Sequence, residues 1–260
     1  MSLPVETPGS FDIGRVISRL FGVLGRQFGV FFAAAALLAG LPMLILGILQ
    51  TFAVGGDGAL VAGPVAPVIA ALVTLTVTLV SGALLEAAII HGTVTDLNGG
   101  RVSLANCLST SLRLVLPLIA IVILVGIATF VGLMFFIVPG VLAALALCVA
   151  APAEVVERRG VFESIRRSVE LTRNCRAAIF GLMILFFVLS LVIQLAGGAV
   201  AASLGVSTPL GFPRATSLIA APLAQTFTSL IGAAGIASVY YELRNIKEGI
   251  GPEALAALFD

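Results

Sequence analysis

The side chains able to do chemistry in this chain are few, and they fall in two places. Glu86 is the one acid set well inside an apolar run, and His91, the only histidine, follows on the same run. A charged carboxylate at membrane depth costs about 2.5–3.5 kcal/mol on insertion scales, so by default it marks a proton, ion or substrate site. One reading is a Glu86–His91 proton relay. The other places Glu86 about one turn from the charged end of its span, where it reaches interfacial water or an arginine, with His91 at the boundary. Gln225, Thr226, Thr228 and Ser229 in the last apolar run, with Thr74, Thr78, Ser81 and Gln194 elsewhere, either line a polar path or hydrogen-bond between helices.

The second place is EVVERRGVFESIRRSVELTRNCR, which carries Arg158, Arg159, Arg166, Arg167, Arg173 and Arg176. Clustered bases beside a span attract an anionic lipid headgroup or phosphate at about 1 kcal/mol each. The competing reading is topological: the arginines hold the loop on one side of the membrane. Beyond these two places the chain has no Walker P-loop, no GxSxG, no HExxH and no paired-cysteine motif. Cys107, Cys148 and Cys175 are scattered, with neither disulfide nor metal spacing. A non-enzymatic protein without cofactor or metal is expected.

These residues must be positioned by elements that live in lipid. Of 260 residues 60% are hydrophobic and only 10% charged, more apolar surface than a soluble domain of this size can hide. The net charge of +1 selects no nucleic acid. The expected fold is an all-α, polytopic integral membrane protein, one domain over 1–260 with about six transmembrane helices. The spans fall at 29–50, 67–90, 177–200 and 215–240, with two more inside the unbroken apolar run 114–153. Gly132 and Val138-Pro139-Gly140 bracket the turn that divides that run. The first apolar run is too long for a signal peptide and lacks a small-residue cleavage site, so the N-terminus is expected to be retained. Residues 1–10 read as disordered and 250–260 as a tail.

Charge sets the orientation. Of the 14 lysines and arginines, all but Arg214 lie in the N-terminal segment, the 91–113 loop, the 154–176 loop or the tail. Such residues stay in the cytosol, so both termini are expected there, in a bacterial-type inner membrane. Three amphipathic segments each precede a pair of spans. They are FDIGRVISRLFGVLGRQF at 11–28, VSLANCLSTSLRLVL from 102, and VFESIRRSVELTRNCRAAIF from 161. The fold then reads as three hairpins, each led by a cytosolic interfacial helix, in repeats 11–100, 101–160 and 161–249. In the second segment Ser103 is placed to N-cap a short helix with Leu104, Leu108, Leu112 and Val115 on one face. In the third, Phe162, Ile165 and Val169 share a face.

Several of these residues also carry a likeness. Pro139-Gly140, Pro152, Glu157, Arg167-Ser168 and Leu171-Thr172 form one group. Tyr241-Glu242-Leu243-Arg244 and Lys247-Glu248-Gly249 form the other. Through them most of the chain resembles the membrane domain associated with bacterial glycerophosphoryl diester phosphodiesterases, and related polytopic proteins of the YciC type. In fused members a separate barrel carries the diesterase chemistry. These 260 residues hold no counterpart of it, so no activity and no catalytic residue carries over. The resemblance implies a six-span module acting near lipids. The leading expectation is a membrane protein that recognises or organises phospholipid, or serves as membrane partner of another protein or of a second copy. The alternative is a small-solute or lipid transporter with a polar path near Glu86.

Overall fold

In hydrocarbon every backbone N–H and C=O must be satisfied inside the protein, and helices do this segment by segment. The structure, a computed structural model, describes residues 11–55, 66–203 and 215–248, and every regular element among them is helical. The expected disordered 1–10, the tail, and residues 56–65 and 204–214, with Asp57 and Arg214, lie outside the described residues. Helix α1 (Ile13–Ala35) passes through a π-helical turn, Ala36–Gly40, into α2 (Leu41–Gly55). Then follow α3 (Ala66–Leu97), α4 (Leu104–Phe135), α5 (Ile137–Leu147), α6 (Ala150–Glu157), α7 (Val161–Thr172), α8 (Arg176–Ser203) and α9 (Ala215–Glu248). Six helical runs are long and apolar enough to cross a membrane: Ile13–Leu49, Val68–Leu97, Leu104–Phe135, Ile137–Glu157, Arg176–Ala199 and Leu223–Glu248.

The interfacial segments take three different forms. The first ends at Gln27, whose φ of −112° and ψ of 19° break the helix and separate the amphipathic stretch from its span. Asp12 caps its start, accepting from the Gly14 amide at 2.7 Å. The second is not a short helix, because α4 runs unbroken from Leu104 through Pro117 to Phe135. Ser103 stands at the cap position but its side chain makes no capping bond. The face buried in protein there is Cys107, Thr110, Ser111 and Leu114, and Leu112 of the leucine face is exposed. The third, α7, is a separate helix whose buried residues are Ser164, Ser168, Leu171 and Thr172, while Phe162 is 80% exposed. In both cases hydroxyl and other small side chains, with one leucine each (Leu114 and Leu171), pack against protein, while Leu112 and Phe162 are left exposed.

Helix α9 organises the core. Its residues enter all three buried clusters: Leu230, Ala233 and Ala234 pack with α1 and α3, Val239, Tyr240 and Leu243 with α1, α5, α7 and α8, and Ala237 with α3, α4 and α6. Small residues let the neighbours approach. A Cβ on Gly235 would lie 2.5 Å from the Phe186 ring. The α4–α5 hairpin reverses on Phe136 alone, and a Cβ at Gly132 would meet the Gly140 Cα at 2.8 Å. Around that turn Met134, Phe135, Phe136, Ile137 and Val138 are all exposed.

The break between α5 and α6 shows how a polar side chain repairs an interrupted helix. Val149 leaves helical geometry (φ −105°, ψ 16°). The Ser168 hydroxyl of α7 donates to the Ala146 carbonyl at 2.8 Å and accepts from the Val149 amide at 3.3 Å. Thr172, one turn on, donates to the Ser168 carbonyl at 2.9 Å. Ser168→Ala therefore takes the acceptor from the Val149 amide and leaves the Ala146 carbonyl only its 3.4 Å contact with Thr172 Oγ1, and should cost about 1–3 kcal/mol. Thermal unfolding in detergent should show a clear drop for Ser168→Ala and under about 0.5 kcal/mol for the lipid-facing Phe162→Ala. Equal shifts would contradict the repair role.

Candidate functional site

The charges gather at one end of the bundle, and most of them pair. Glu242 of α9 is 2% exposed and receives Arg15 at 3.0 Å and Arg19 at a short ion pair; Arg19 also lies over the Tyr241 ring. Asp96, at the end of α3, receives Arg26 Nε at 3.1 Å and Gln27 Nε2 at 3.0 Å. The first half of α1 thus bridges the ends of α9 and α3, and its break falls where it meets Asp96. The start of α1 and the end of α9 share this end, the arrangement that an even number of spans requires.

A second knot ties α6, α7 and α9. Glu157 Oε1 accepts from the Tyr240 hydroxyl at 2.9 Å and from Arg167 Nε at 3.0 Å, and Oε2 pairs with Arg159 at 2.9 Å. Arg167 also pairs with Glu248, which Arg244 holds from the other side. Glu154, buried, accepts from Ser164 Oγ at 2.7 Å and the Gly160 amide at 2.9 Å. It thereby fixes the turn through Arg158 (φ +51°) and Gly160 (φ +90°). Of the residues behind the family likeness, Glu157 and Arg167 from one stretch meet Glu248 and Arg244 from the other here.

This geometry divides the six arginines singled out in the sequence. Arg159 and Arg167 are matched by Glu157, and Arg166 by Glu163 and Glu170 on its own helix. Arg158 serves the turn that ends α6. Arg158, Arg173 and Arg176 have no carboxylate partner among the described residues, and neither has Lys247 near the end of α9. Arg173 lines three adjoining clefts of about 350 to 510 Å³, sharing one with Arg176 and Asn174 and two with Lys247. The Arg176 Nε is buried with no acceptor. Glu170 and Glu248 border one cleft but are engaged by Arg166, Arg167 and Arg244. Burial raises the pKa of the Cys175 thiol, against the opposing pull of Lys247, so it stays neutral and adds no negative charge. The helix α8 begins at Arg176, adding its positive end.

The intramembrane residues are also re-sorted. Glu86 lines a cleft of about 320 Å³ between α3, α4 and α9, with Thr78 and Gly82 on its own helix, Val122 opposite, and Ser229 and Gly232 across from it. His91 lies outside it: five residues along a helix is about 140° around the axis. The relay reading is thus not supported by placement. Gln225 does not line the cleft either, but its Nε2 donates to Ser229 Oγ at 3.2 Å. Glu86 is also deeper than one turn. Helix α3 continues through the polar stretch to Leu97, so Glu86 sits about 15 Å along the axis from the Asp96 ion pair. The signal passed over in the sequence is Gly82, four residues before Glu86 and therefore on the same face.

Removing the Glu157 carboxylate takes the acceptor from the Tyr240 hydroxyl and leaves Arg167 with Glu248 alone, in a mostly buried setting, whereas Arg159 remains half in water. Glu157→Ala should destabilise by about 2–4 kcal/mol and Arg159→Ala by under about 1 kcal/mol. Parallel melting curves in detergent check the ordering, and an Arg159→Ala cost as large as that of Glu157→Ala would contradict it. No protein-family model matches this chain, and no solved structure matches it.

Proposed function

We propose that this membrane protein recognises phospholipid, holding an anionic headgroup in the adjoining clefts that Arg173 shares with Arg176 on one side and with Lys247 on the other. It acts without chemistry of its own, in a bacterial-type inner membrane with the basic end facing the cytosol. The observation that carries the reading is the division of the basic residues: Arg159, Arg166 and Arg167 are matched by carboxylates, while Arg173, Arg176 and Lys247 line adjoining clefts with no carboxylate paired to them among the described residues. A phosphate there meets guanidinium and ammonium groups, and the Arg176 Nε gains the acceptor it lacks. Orientation follows from the clustering of lysines and arginines at this end. The likeness to the membrane domain associated with glycerophosphoryl diester phosphodiesterases supports a role beside lipids. A protein partner, or a second copy, fits the same reading if it uses the lipid as a bridge. Transport of a small solute or lipid is the second reading, favoured by the Glu86 cleft alone.

Native mass spectrometry from nanodiscs tests the lipid site. The full chain should retain phosphatidylglycerol over phosphatidylcholine. At about 1 kcal/mol per cation, each loss should weaken retention about fivefold. The combined Arg173→Ala, Arg176→Ala and Lys247→Ala variant should lose nearly all the preference, and Arg166→Ala, whose charge is already paired, should keep it. Undiminished preference in the triple variant would overturn the site.

A further inference from the structure

The Glu86 cleft is a second site, independent of the basic end. Among the described residues Glu86 has no hydrogen-bond donor and no cation paired with it, in contrast to Asp96, Glu154, Glu157 and Glu242. The space it faces is made by two glycines. Thr78, Gly82 and Glu86 follow one another at four-residue steps down one face of α3, and Ser229 and Gly232 face them from α9. A Cβ added at Gly82 or at Gly232 would meet nothing within 4 Å. These glycines therefore do not permit close packing as Gly235 does against Phe186; they leave room. The Ser229 hydroxyl accepts from Gln225 and keeps its own proton to donate. The remaining wall, including Leu79, Val122 and Ile236, is apolar.

We propose that this cleft binds a lipophilic organic cation, its charged centre against the Glu86 carboxylate and its hydrocarbon against the α3, α4 and α9 walls. Charge complementarity selects the sign, since an unpaired carboxylate at this depth is costly until a cation joins it. The lining excludes a hard metal ion, which takes about six or more oxygens, because it offers one carboxylate and two hydroxyls. A proton alone would leave the room made by Gly82 and Gly232 without use.

The test is equilibrium dialysis of tetraphenylphosphonium against the purified full chain in detergent micelles, with size-exclusion profiles to confirm folding. Saturable binding is expected, weakened at least about tenfold by Glu86→Gln and abolished by Gly232→Leu, which fills the cleft and keeps the charge. Absence of saturable binding to the unaltered chain overturns the proposal. Binding that survives Gly232→Leu overturns the location, and binding indifferent to Glu86→Gln overturns the charge pairing. Should Glu86→Gln fail to fold, Gly232→Leu decides alone.

Discussion

A carboxylate withdrawn from water must be given cations or donors, and in this bundle that requirement joins parts of the chain remote in sequence. Asp96 draws Arg26 and Gln27 across from α1, Glu242 draws Arg15 and Arg19, and Glu157 holds α7 through Arg167 and α9 through Tyr240. Apolar side chains cannot specify these contacts well, because lipid competes for them on nearly equal terms. The ion pairs are placed where hydrocarbon gives way to water, so their desolvation is moderate and their geometry decides register. Helix α9 is central because it brings both small residues for close approach and Tyr240, Glu242, Arg244 and Glu248 for pairing.

The two candidate sites are what this pairing leaves over. At the basic end Arg173, Arg176 and Lys247, which line adjoining clefts, are among the cations that no carboxylate matches among the described residues. Deeper along α3 and α9, the Glu86 carboxylate is unmatched among the described residues, beside open space. Each has the sign opposite to the ligand it is suited to hold. The matched charges around them act as scaffold, fixing α7 against α9 at one site and the ends of α3 and α9 at the other.

Much of this was legible in the sequence. The six apolar runs, the reversal between Gly132 and Gly140, the boundary of the first amphipathic segment and the crowding of charge at one end all follow from composition and local spacing. The inward faces did not follow. In water the leucines of 104–115 and the Phe162, Ile165 and Val169 stripe would be core, but in a bilayer the small and hydroxyl residues turn inward instead. Nor were the partners of the arginines readable, since Glu157 meets a tyrosine 83 positions away and that contact depends on helix packing. The depth of Glu86 is hidden in the sequence because the polar stretch after it, HGTVTDL, has the composition of a loop, whereas the helix continues through it.

The turn at Phe136 bears on how the protein is assembled. From Leu114 to Ala153 the only polar side chains are Thr129 and Cys148, and the exposed tip is built from Met134 to Val138. Translocating a hydrophilic loop is the dominant barrier when a helical pair enters a bilayer, and here there is none to translocate. The α4–α5 hairpin can partition into the membrane as one closed unit from the side on which it is synthesised. Its tight Gly132–Gly140 contact and its Phe136-to-Gly132 backbone bond can already be formed on the way in.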